Sequence, residues 1–107
     1  MQRLLFICSQ NRLRSPTAEL LFSIEPNLET LSAGISNEAE NPLTPEALEW
    51  ADLIFVMEQA HKRKLTRRFA PHLRGKRVIC LDIPDMYAYM DPRLIKLLLD
   101  KVCPFLK

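Results

Sequence analysis

The chain has 107 residues and a mass of 12.4 kDa, which fits one domain spanning residues 1–107. A hydrophobic content of 48% is enough for a single core, and three widely spaced cysteines without a metal-ligand pattern predict free thiols, no metal and no cofactor. The net charge of +2 is too small to indicate a partner, and the apolar N-terminal run is too short for a signal peptide or a membrane span, so we expect a cytoplasmic protein.

Apolar runs separated by turn residues predict strands that alternate with helices along the chain. The predicted elements, in chain order, are strand 3–8, helix 16–24, strand 28–35, loop 36–45, helix 45–50, strand 52–57, helix 58–69, strand 77–81, loop 82–90 and helix 92–102. Pro16 and Pro45 are predicted at the first positions of their helices. Thr44 and Asp91 are predicted as helix caps. Glu19 is predicted early in its helix, where a negative charge is favoured.

This alternation indicates an α/β fold with a parallel sheet and right-handed crossovers. The connection between the second and third strands is short, so we expect a reduced second crossover. Ligands of open parallel sheets bind beyond the carboxyl ends of the strands. Because Cys8, Ser32, Glu58 and the 82–89 loop lie at such strand ends, we expect them to converge at one edge of the sheet.

The first strand runs directly into Cys8, which is followed by five residues, Arg14 and Ser15. A link of this length can curl so that its backbone N–H groups converge on one anion, while the guanidinium binds two phosphate oxygens in parallel. The cysteine then lies under the phosphorus as a nucleophile, in positive surroundings that favour its thiolate. The helix that follows adds its own N-terminal N–H groups. The pattern therefore predicts phosphoryl transfer; the alternative is a buried Cys8 with Arg14 in a surface ion pair.

A phosphomonoester that is cleaved by a cysteine needs a proton donor for the leaving oxygen. Asp82, Asp85 and Asp91 are the candidates in the last strand-end loop. Asp91 fits a helix cap, and Asp82 lies close to the strand, where it could cap or pair with Arg77. Asp85 has no evident structural duty. We therefore expect Asp85 to be the general acid, with an ordinary turn residue as the alternative interpretation.

Two further groups of residues leave their roles open. Tyr87 and Tyr89 follow the candidate acid and could form an apolar wall for an aromatic leaving group, or could cover the loop from its rim. Residues 61–77 are strongly basic, and a solvated helix face is favoured over a surface that attracts acidic partners. Nucleic acid is not expected as a partner. His61 and His72 are predicted at the surface without a functional role.

The order of these features resembles the low-molecular-weight protein tyrosine phosphatase family. Four segments carry the likeness: Cys8–Pro16 resembles the signature Cys-x-Gly-Asn-x-x-Arg-Ser-Pro, residues 32–34 resemble the end of the second strand, residues 52–58 resemble the third strand, and the Asp85 loop resembles the acid loop. The likeness runs in order across nearly the whole chain. It implies a flavodoxin-like, phosphotyrosine phosphatase I-like fold with strand order 2-1-3-4.

The same resemblance implies a two-step mechanism through a phosphocysteine intermediate. Cys8 would be the nucleophile, Arg14 the clamp of the transition state, and Asp85 the acid and then the base. Asn11 would hold the backbone of the loop, and Ser15 would donate a hydrogen bond to the thiolate. The implied phosphate-binding residues are Ser9, Gln10, Asn11, Arg12, Leu13, Arg14 and Ser15, and the implied substrate-binding residues are Arg12, Tyr87 and Tyr89. The expected partner is a phosphorylated protein or a small aryl phosphate, and the expected state is a monomer or a weak dimer.

The loop departs from the family signature at several positions. Gln10 replaces the glycine, which is unfavourable if the backbone needs an unusual conformation there. Ser9 and Arg12 stand where apolar residues often line the entrance, so we expect a more polar entrance. Leu13 replaces a second cysteine, which excludes a disulfide within the loop. Met86 replaces the proline after the acid.

Two other functions remain open from the sequence. A non-catalytic module that binds phosphate or another anion is compatible with the loop and with the nearby positive charge. Arsenate reduction is compatible with the fold but needs further cysteines close in space to Cys8. Cys80 and Cys103 are the only others, and they lie on separate predicted elements.

Overall fold

Strands and helices alternate through the computed structural model, which describes residues 1–106. In chain order they are β1 (Gln2–Cys8), α1 (Arg14–Ser23), β2 (Leu28–Gly34), α2 (Pro45–Trp50), β3 (Leu53–Val56), α3 (Gln59–Phe69), β4 (Arg77–Cys80) and α4 (Pro92–Val102). Short 3-10 turns, Ala70–His72 and Cys103–Phe105, follow α3 and α4. The longest helices have 11 residues, and none within residues 1–106 is long and apolar enough to cross a membrane.

The four strands form one parallel sheet in the order β2-β1-β3-β4, which confirms the predicted fold class and strand order. Cys8 at the end of β1 pairs with Gly34 at the end of β2. Val56 at the end of β3 pairs with Cys80 at the end of β4. The carboxyl ends of all four strands therefore share one edge, where the loops that follow them meet.

Alternate residues of the central strand β1 point to opposite faces of the sheet. Phe6 packs in the cluster that contains α1 and α4, whereas Leu5 and Ile7 pack in the cluster that contains α2 and α3. Phe6 stacks between Phe22 of α1 and Phe55 of β3, with ring centroids 5.7 and 5.3 Å away. Both faces of the sheet are thus covered, as a parallel sheet requires.

The second crossover is short because α2 has only six residues. Thr44 caps this helix by accepting a hydrogen bond from the N–H of Ala47 at 3.3 Å, and Pro45 opens it, as predicted. Asp91 caps α4 in the same way, accepting from the N–H of Arg93 at 2.8 Å. In α2 and α4, the polar residue before proline is therefore the helix cap.

The predicted start of α1 is wrong by two residues. The helix begins at Arg14, because the N–H of Thr17 already bonds the carbonyl of Leu13 at 3.1 Å. Pro16 is therefore the third helical residue, a position where a missing N–H still costs no hydrogen bond. Glu19 lies outside the first turn, and its carboxylate accepts a hydrogen bond from the Ser32 hydroxyl on β2. Its role is to join α1 to the sheet.

Candidate active site

A cavity of about 200 Å³ opens at the carboxyl edge of the sheet. It is lined by the loop between β1 and α1 and by one residue of the loop between β4 and α4: Cys8, Ser9, Gln10, Arg12, Leu13, Arg14 and Asp85. The cysteine, the arginine and the aspartate singled out in the sequence therefore share one concave site, although 71 positions separate Arg14 from Asp85 in the numbering.

The sulfur of Cys8 lies within a small network of donors. The N–H of Asn11 donates to Sγ at 3.3 Å, and the Ser15 hydroxyl oxygen is 2.9 Å from Sγ. The Ser15 hydroxyl is also 2.9 Å from Oδ1 of Asn11, and it has only one hydrogen to give. With a neutral thiol, the S–H donates to Ser15 and Ser15 donates to Asn11. With a thiolate, Ser15 turns its hydrogen to the sulfur. The sulfur therefore keeps a hydrogen bond with Ser15 both as a thiol and as a thiolate.

The loop after β1 is joined to the connection after β2 through its backbone carbonyl groups. Three carbonyl groups of the loop accept hydrogen bonds from the connection after β2: Cys8 from Ile35 at 2.8 Å, Ser9 from Ser36 at 3.1 Å and Gln10 from Glu40 at 3.1 Å. Within residues 1–106, the N–H groups of Gln10, Arg12 and Leu13 have no acceptor. Unpaired N–H groups beside a cavity suit an anion.

The conformation of the loop explains how Gln10 replaces a glycine. The residue with positive φ in the loop is Asn11, at 56°, and asparagine tolerates this region better than most side chains. Gln10 is not among the residues with positive φ, so it carries no strain of this kind. The glycine that the loop requires is Gly34 of β2, where a Cβ would lie 2.8 Å from the carbonyl oxygen of Ser9.

Arg14 is buried, with 2% of its surface exposed, and its guanidinium is anchored at one nitrogen. Nη1 donates to a carboxylate oxygen of Glu58 at 2.6 Å and to the carbonyl oxygen of Ile83 at 2.7 Å. Both hydrogens of Nη1 are thereby used, whereas Nε lies 3.7 Å from Oδ1 of Asp85. The Nε and Nη2 hydrogens remain for the two parallel hydrogen bonds to phosphate that the sequence predicts.

The loop that carries Asp85 is fixed to the sheet and to α1. Ile83 donates its N–H to the carbonyl of Met57 at 2.8 Å and accepts from Arg14. The N–H of Met90 donates to the Thr17 hydroxyl at 2.9 Å. Asp85 lies between these anchors, with 63% of its side chain exposed at the rim of the cavity. The anchors place this carboxylate beside Arg14, in the wall of the cavity that also contains Cys8.

The prediction that His61 lies at the surface is wrong, because its exposed fraction is 3%. Nε2 of His61 is 2.8 Å from the Ser9 hydroxyl oxygen, and Nδ1 accepts the backbone N–H of Glu58 at 3.1 Å. Burial and the charge of Arg14 lower the pKa of His61 below its usual 6.5, although Glu58 opposes the shift. The only signal in the sequence is the position of His61 three residues after Glu58, at the start of a helix that follows a buried strand.

Of the predicted substrate-binding residues, Arg12 lines the cavity and the two tyrosines do not. Within residues 1–106, the cavity lining includes neither Tyr87 nor Tyr89. Tyr87 packs against the core under the guanidinium of Arg93, 5.4 Å from the ring centroid, and Tyr89 is exposed. Arg12 does line the cavity, and its Nε forms an exposed ion pair with Glu40 at 3.5 Å. The entrance is polar, as Ser9 and Arg12 predict.

The thiols of Cys80 and Cys103 lie outside the lining of the cavity. Cys8, Cys80 and Cys103 are free, and Cys80 donates to Oδ1 of Asp82 at 3.3 Å. Burial raises the pKa of the Cys80 thiol. Within residues 1–106, no three His, Cys, Asp or Glu side chains are grouped so that they could hold a metal ion.

Comparisons with known proteins show which solved structures share this fold. No protein-family model and no curated protein matches the sequence significantly. Among solved structures, Vibrio vulnificus Wzb in complex with benzylphosphonate is 27% identical, with a TM-score of 0.77 over 97% of this chain and 96% of that chain. The tyrosine phosphatase Wzb from Escherichia coli K30 in complex with phosphate is 25% identical, with a TM-score of 0.75 over 97% and 95%. The YwlE arginine phosphatase from Geobacillus stearothermophilus, at 23% identity, shares the fold with a TM-score of 0.77 over 98% and 92%.

The parallel sheet of order 2-1-3-4, the cysteine–arginine loop at its carboxyl edge and these neighbours support an enzyme of the cysteine-dependent phosphatase type. The likeness to the two Wzb structures covers nearly all of both chains. The chain shares this fold with the low-molecular-weight protein tyrosine phosphatases from Streptococcus pyogenes and T. tengcongensis as well.

Proposed function

We propose that this protein hydrolyses the phosphomonoester of a phosphorylated protein or a small aryl phosphate through a phosphocysteine on Cys8. The observation that carries the proposal is the shared cavity, in which a nucleophile, a guanidinium and a carboxyl group from two distant loops face one another. Among residues 1–106, Cys8 is the one thiol and Asp85 the one carboxylate that line this cavity.

In the first step, the Cys8 thiolate attacks the phosphorus and the bond from phosphorus to the leaving oxygen breaks. The hydrogen bonds from Asn11 and Ser15 hold the thiolate in place. Arg14 binds two phosphoryl oxygens through Nε and Nη2, where it stabilises the charge of the transition state. Asp85 gives its proton to the leaving oxygen, so the alcohol or phenol departs neutral.

In the second step, a water molecule attacks the phosphorus of the phosphocysteine. Its proton passes to the Asp85 carboxylate, the S–P bond breaks, and the sulfur leaves as a thiolate. Inorganic phosphate and the original enzyme are the products. Asp85 therefore acts as acid and then as base, which requires that it reach both the leaving oxygen and the incoming water.

The size and polarity of the site bear on the substrate. The E. coli neighbour is described as a tyrosine phosphatase and holds phosphate, and the V. vulnificus neighbour holds benzylphosphonate. These ligands support a phosphate group, with an aromatic substituent, as the group that the cavity accepts. Leu13 supplies an apolar part of the wall, and the exposed side chain of Arg12 supplies a positive one.

Turnover of an aryl phosphate by the reduced protein tests the proposal. We expect Cys8→Ser to abolish turnover while inorganic phosphate still binds. Asp85→Asn is expected to lower kcat by about 10²- to 10⁴-fold, since proton transfer to the leaving oxygen is lost. Cys103→Ser, which replaces an exposed free thiol, and Asp100→Asn, which neutralises a carboxylate on α4, are the matched controls. Equal turnover by Cys8→Ser and wild type would overturn the proposal.

The same preparation separates the two alternatives. A non-catalytic module would bind phosphate without releasing the phenol. An arsenate reductase would oxidise thiols in the presence of arsenate, and Cys80→Ser or Cys103→Ser would stop that reaction without affecting the hydrolysis of aryl phosphate.

A further inference from the structure

We propose that the Ser9 hydroxyl donates a hydrogen bond to a phosphoryl oxygen of the bound substrate, and that buried His61 is the positioning residue that turns it there. The inference rests on the proposed function, since it concerns an anion held by the same loop. It assigns a role to a histidine on α3 that reaches the loop across the sheet edge.

The contacts of His61 fix which of its nitrogens carries the proton. The backbone N–H of Glu58 points at Nδ1 at 3.1 Å, so Nδ1 is an acceptor. A neutral imidazole has one acceptor nitrogen and one N–H. The hydrogen is therefore on Nε2, which lies 2.8 Å from the Ser9 hydroxyl oxygen.

The direction of the Ser9 hydroxyl follows from this assignment. Because Nε2–H donates to the oxygen of Ser9, the hydrogen of the hydroxyl cannot point back at His61. No other acceptor for it lies within residues 1–106. Ser9 lines the cavity together with Cys8 and Arg14. The hydroxyl hydrogen is thus left for a ligand in the cavity, and an anion is the acceptor that the loop is built to hold.

The surroundings of His61 keep it in the required neutral form near pH 7. The imidazole is 3% exposed and lies near the buried guanidinium of Arg14, and Lys64 on its own helix adds positive charge. Glu58 and Asp85 supply negative charge from the neighbouring loops, but burial and Arg14 outweigh them and lower its pKa. A charged imidazolium would carry a hydrogen on Nδ1, facing the Glu58 N–H, and would lose that hydrogen bond.

A purely structural role for His61 makes a different prediction. If His61 only holds the start of α3, its replacement should affect stability and phosphate binding equally whether or not Ser9 has a hydroxyl. If His61 acts through Ser9, its effect on phosphate binding should vanish once the hydroxyl is gone. A double-mutant cycle distinguishes the two.

The first measurement is the Kd of inorganic phosphate by calorimetry, in the Cys8→Ser background so that turnover plays no part. We expect Ser9→Ala to weaken phosphate binding about 10-fold, the effect of a hydrogen bond to a charged group. Ser9→Thr, which keeps the hydroxyl, should stay within about threefold of its parent. His61→Leu should weaken binding to a similar extent as Ser9→Ala, and the double variant should be no weaker than Ser9→Ala alone.

Urea unfolding of each variant separates a loss of stability from a loss of phosphate affinity. His72→Gln is the control for the replacement of a histidine. Unchanged phosphate affinity in Ser9→Ala overturns the inference, whatever the fate of the His61 variants. An undiminished effect of His61→Leu in the Ser9→Ala background overturns the positioning role. Because calorimetry needs no catalysis, a wild-type protein that binds phosphate but does not hydrolyse aryl phosphate contradicts the proposed function and leaves the Ser9 result standing.

Discussion

At the scale of single residues, the placement of Arg14 depends on its anchors. A guanidinium with 2% exposure has lost most of its water, and the carboxylate of Glu58 and the carbonyl of Ile83 replace that water at Nη1. These contacts also choose which edge of the guanidinium faces the cavity. Positioning errors of about 1 Å cost up to 10²-fold in rate, so the anchor matters for catalysis as well as for folding.

The first prediction concerns Glu58→Ala. Nη1 loses its carboxylate partner. The guanidinium can then rotate, so that Nε and Nη2 no longer face the cavity together. We expect kcat/KM for an aryl phosphate to fall about 10-fold or more, and the free energy of unfolding to fall as well. Steady-state kinetics and urea unfolding provide the two measurements. Glu49→Ala, on α2 away from the cavity, is the control. A Glu58→Ala enzyme with wild-type kcat/KM would show that Ile83 alone orients Arg14.

The sequence allows part of the site to be predicted, for a physical reason. Cys8 and Arg14 are close along the chain, so their spacing alone predicts the loop. Asp85 is predicted as the general acid because the sequence indicates no capping or pairing role for it. Glu58 and His61 belong to a charged helix start, where a solvated face is the usual outcome. Their contacts with Arg14 and Ser9 join residues 44 and 52 positions apart, which periodicity cannot reveal.

At the scale of elements, the anion loop is supported by the connection after β2. The carbonyls of Cys8, Ser9 and Gln10 are bound by that connection, and Gly34 lets the two segments approach. A Cβ at Gly34 would lie 2.2 Å from the Cβ of Ala39 and 2.8 Å from the carbonyl oxygen of Ser9. The shape of the loop therefore depends on a residue in another element.

The second prediction follows for Gly34→Ala. The added methyl group must push the connection or the loop aside, which typically costs about 1–3 kcal/mol of stability. Because the loop carries Cys8, we expect kcat/KM to fall together with the free energy of unfolding. Urea unfolding and steady-state kinetics on the same protein check this. Ala39→Gly in the same chain should restore only part of the loss, since the contact with Ser9 remains.

Gly75→Ala is the matched control for Gly34→Ala. Gly75 has φ of 72° and open space around its Cβ position, so alanine there meets backbone strain but no neighbour. We expect a loss of about 1 kcal/mol in stability with kcat/KM unchanged. A Gly34→Ala variant that resembles Gly75→Ala in both measurements would contradict the proposed support of the loop.

Helix starts show where local rules suffice and where they do not. Thr44 and Asp91 cap their helices as predicted, because capping involves residues two or three positions apart. The predicted start of α1 is wrong because Pro16 is compatible with more than one position in the first turn. The anion loop continues directly into this helix, so no side-chain cap marks the boundary.

At the scale of the whole molecule, parallel pairing gives the site its location. Every strand ends at the same edge, so the loops after β1, β2, β3 and β4 meet there in spite of their distance in sequence. The alternation of strands and helices was enough to predict this edge. Which loop residues touch depends on register and on burial of both sheet faces, and those are properties of the assembled fold.

The third prediction concerns how the stability of the whole fold depends on pH. The pKa of His61 is lowered in the folded protein, so below its usual 6.5 the unfolded chain binds a proton at this site more readily. The neutral, buried imidazole therefore contributes its full stability above pH 6.5, and this contribution is lost as the pH falls below that value. One group of this kind changes the free energy of unfolding by up to about 1.4 kcal/mol per pH unit.

His61→Gln removes the titrating group, and comparison of variants cancels the other groups that face it, Arg14, Glu58, Lys64 and Asp85. We expect the free energy of unfolding, measured in urea from pH 5 to pH 8, to fall less steeply with acid in His61→Gln than in wild type. His72→Gln is the control for the removal of a histidine. If wild type and His61→Gln lost stability in parallel over this range, His61 would titrate equally in the folded and unfolded states. That result would contradict the assignment of a neutral, buried His61 that orients Ser9.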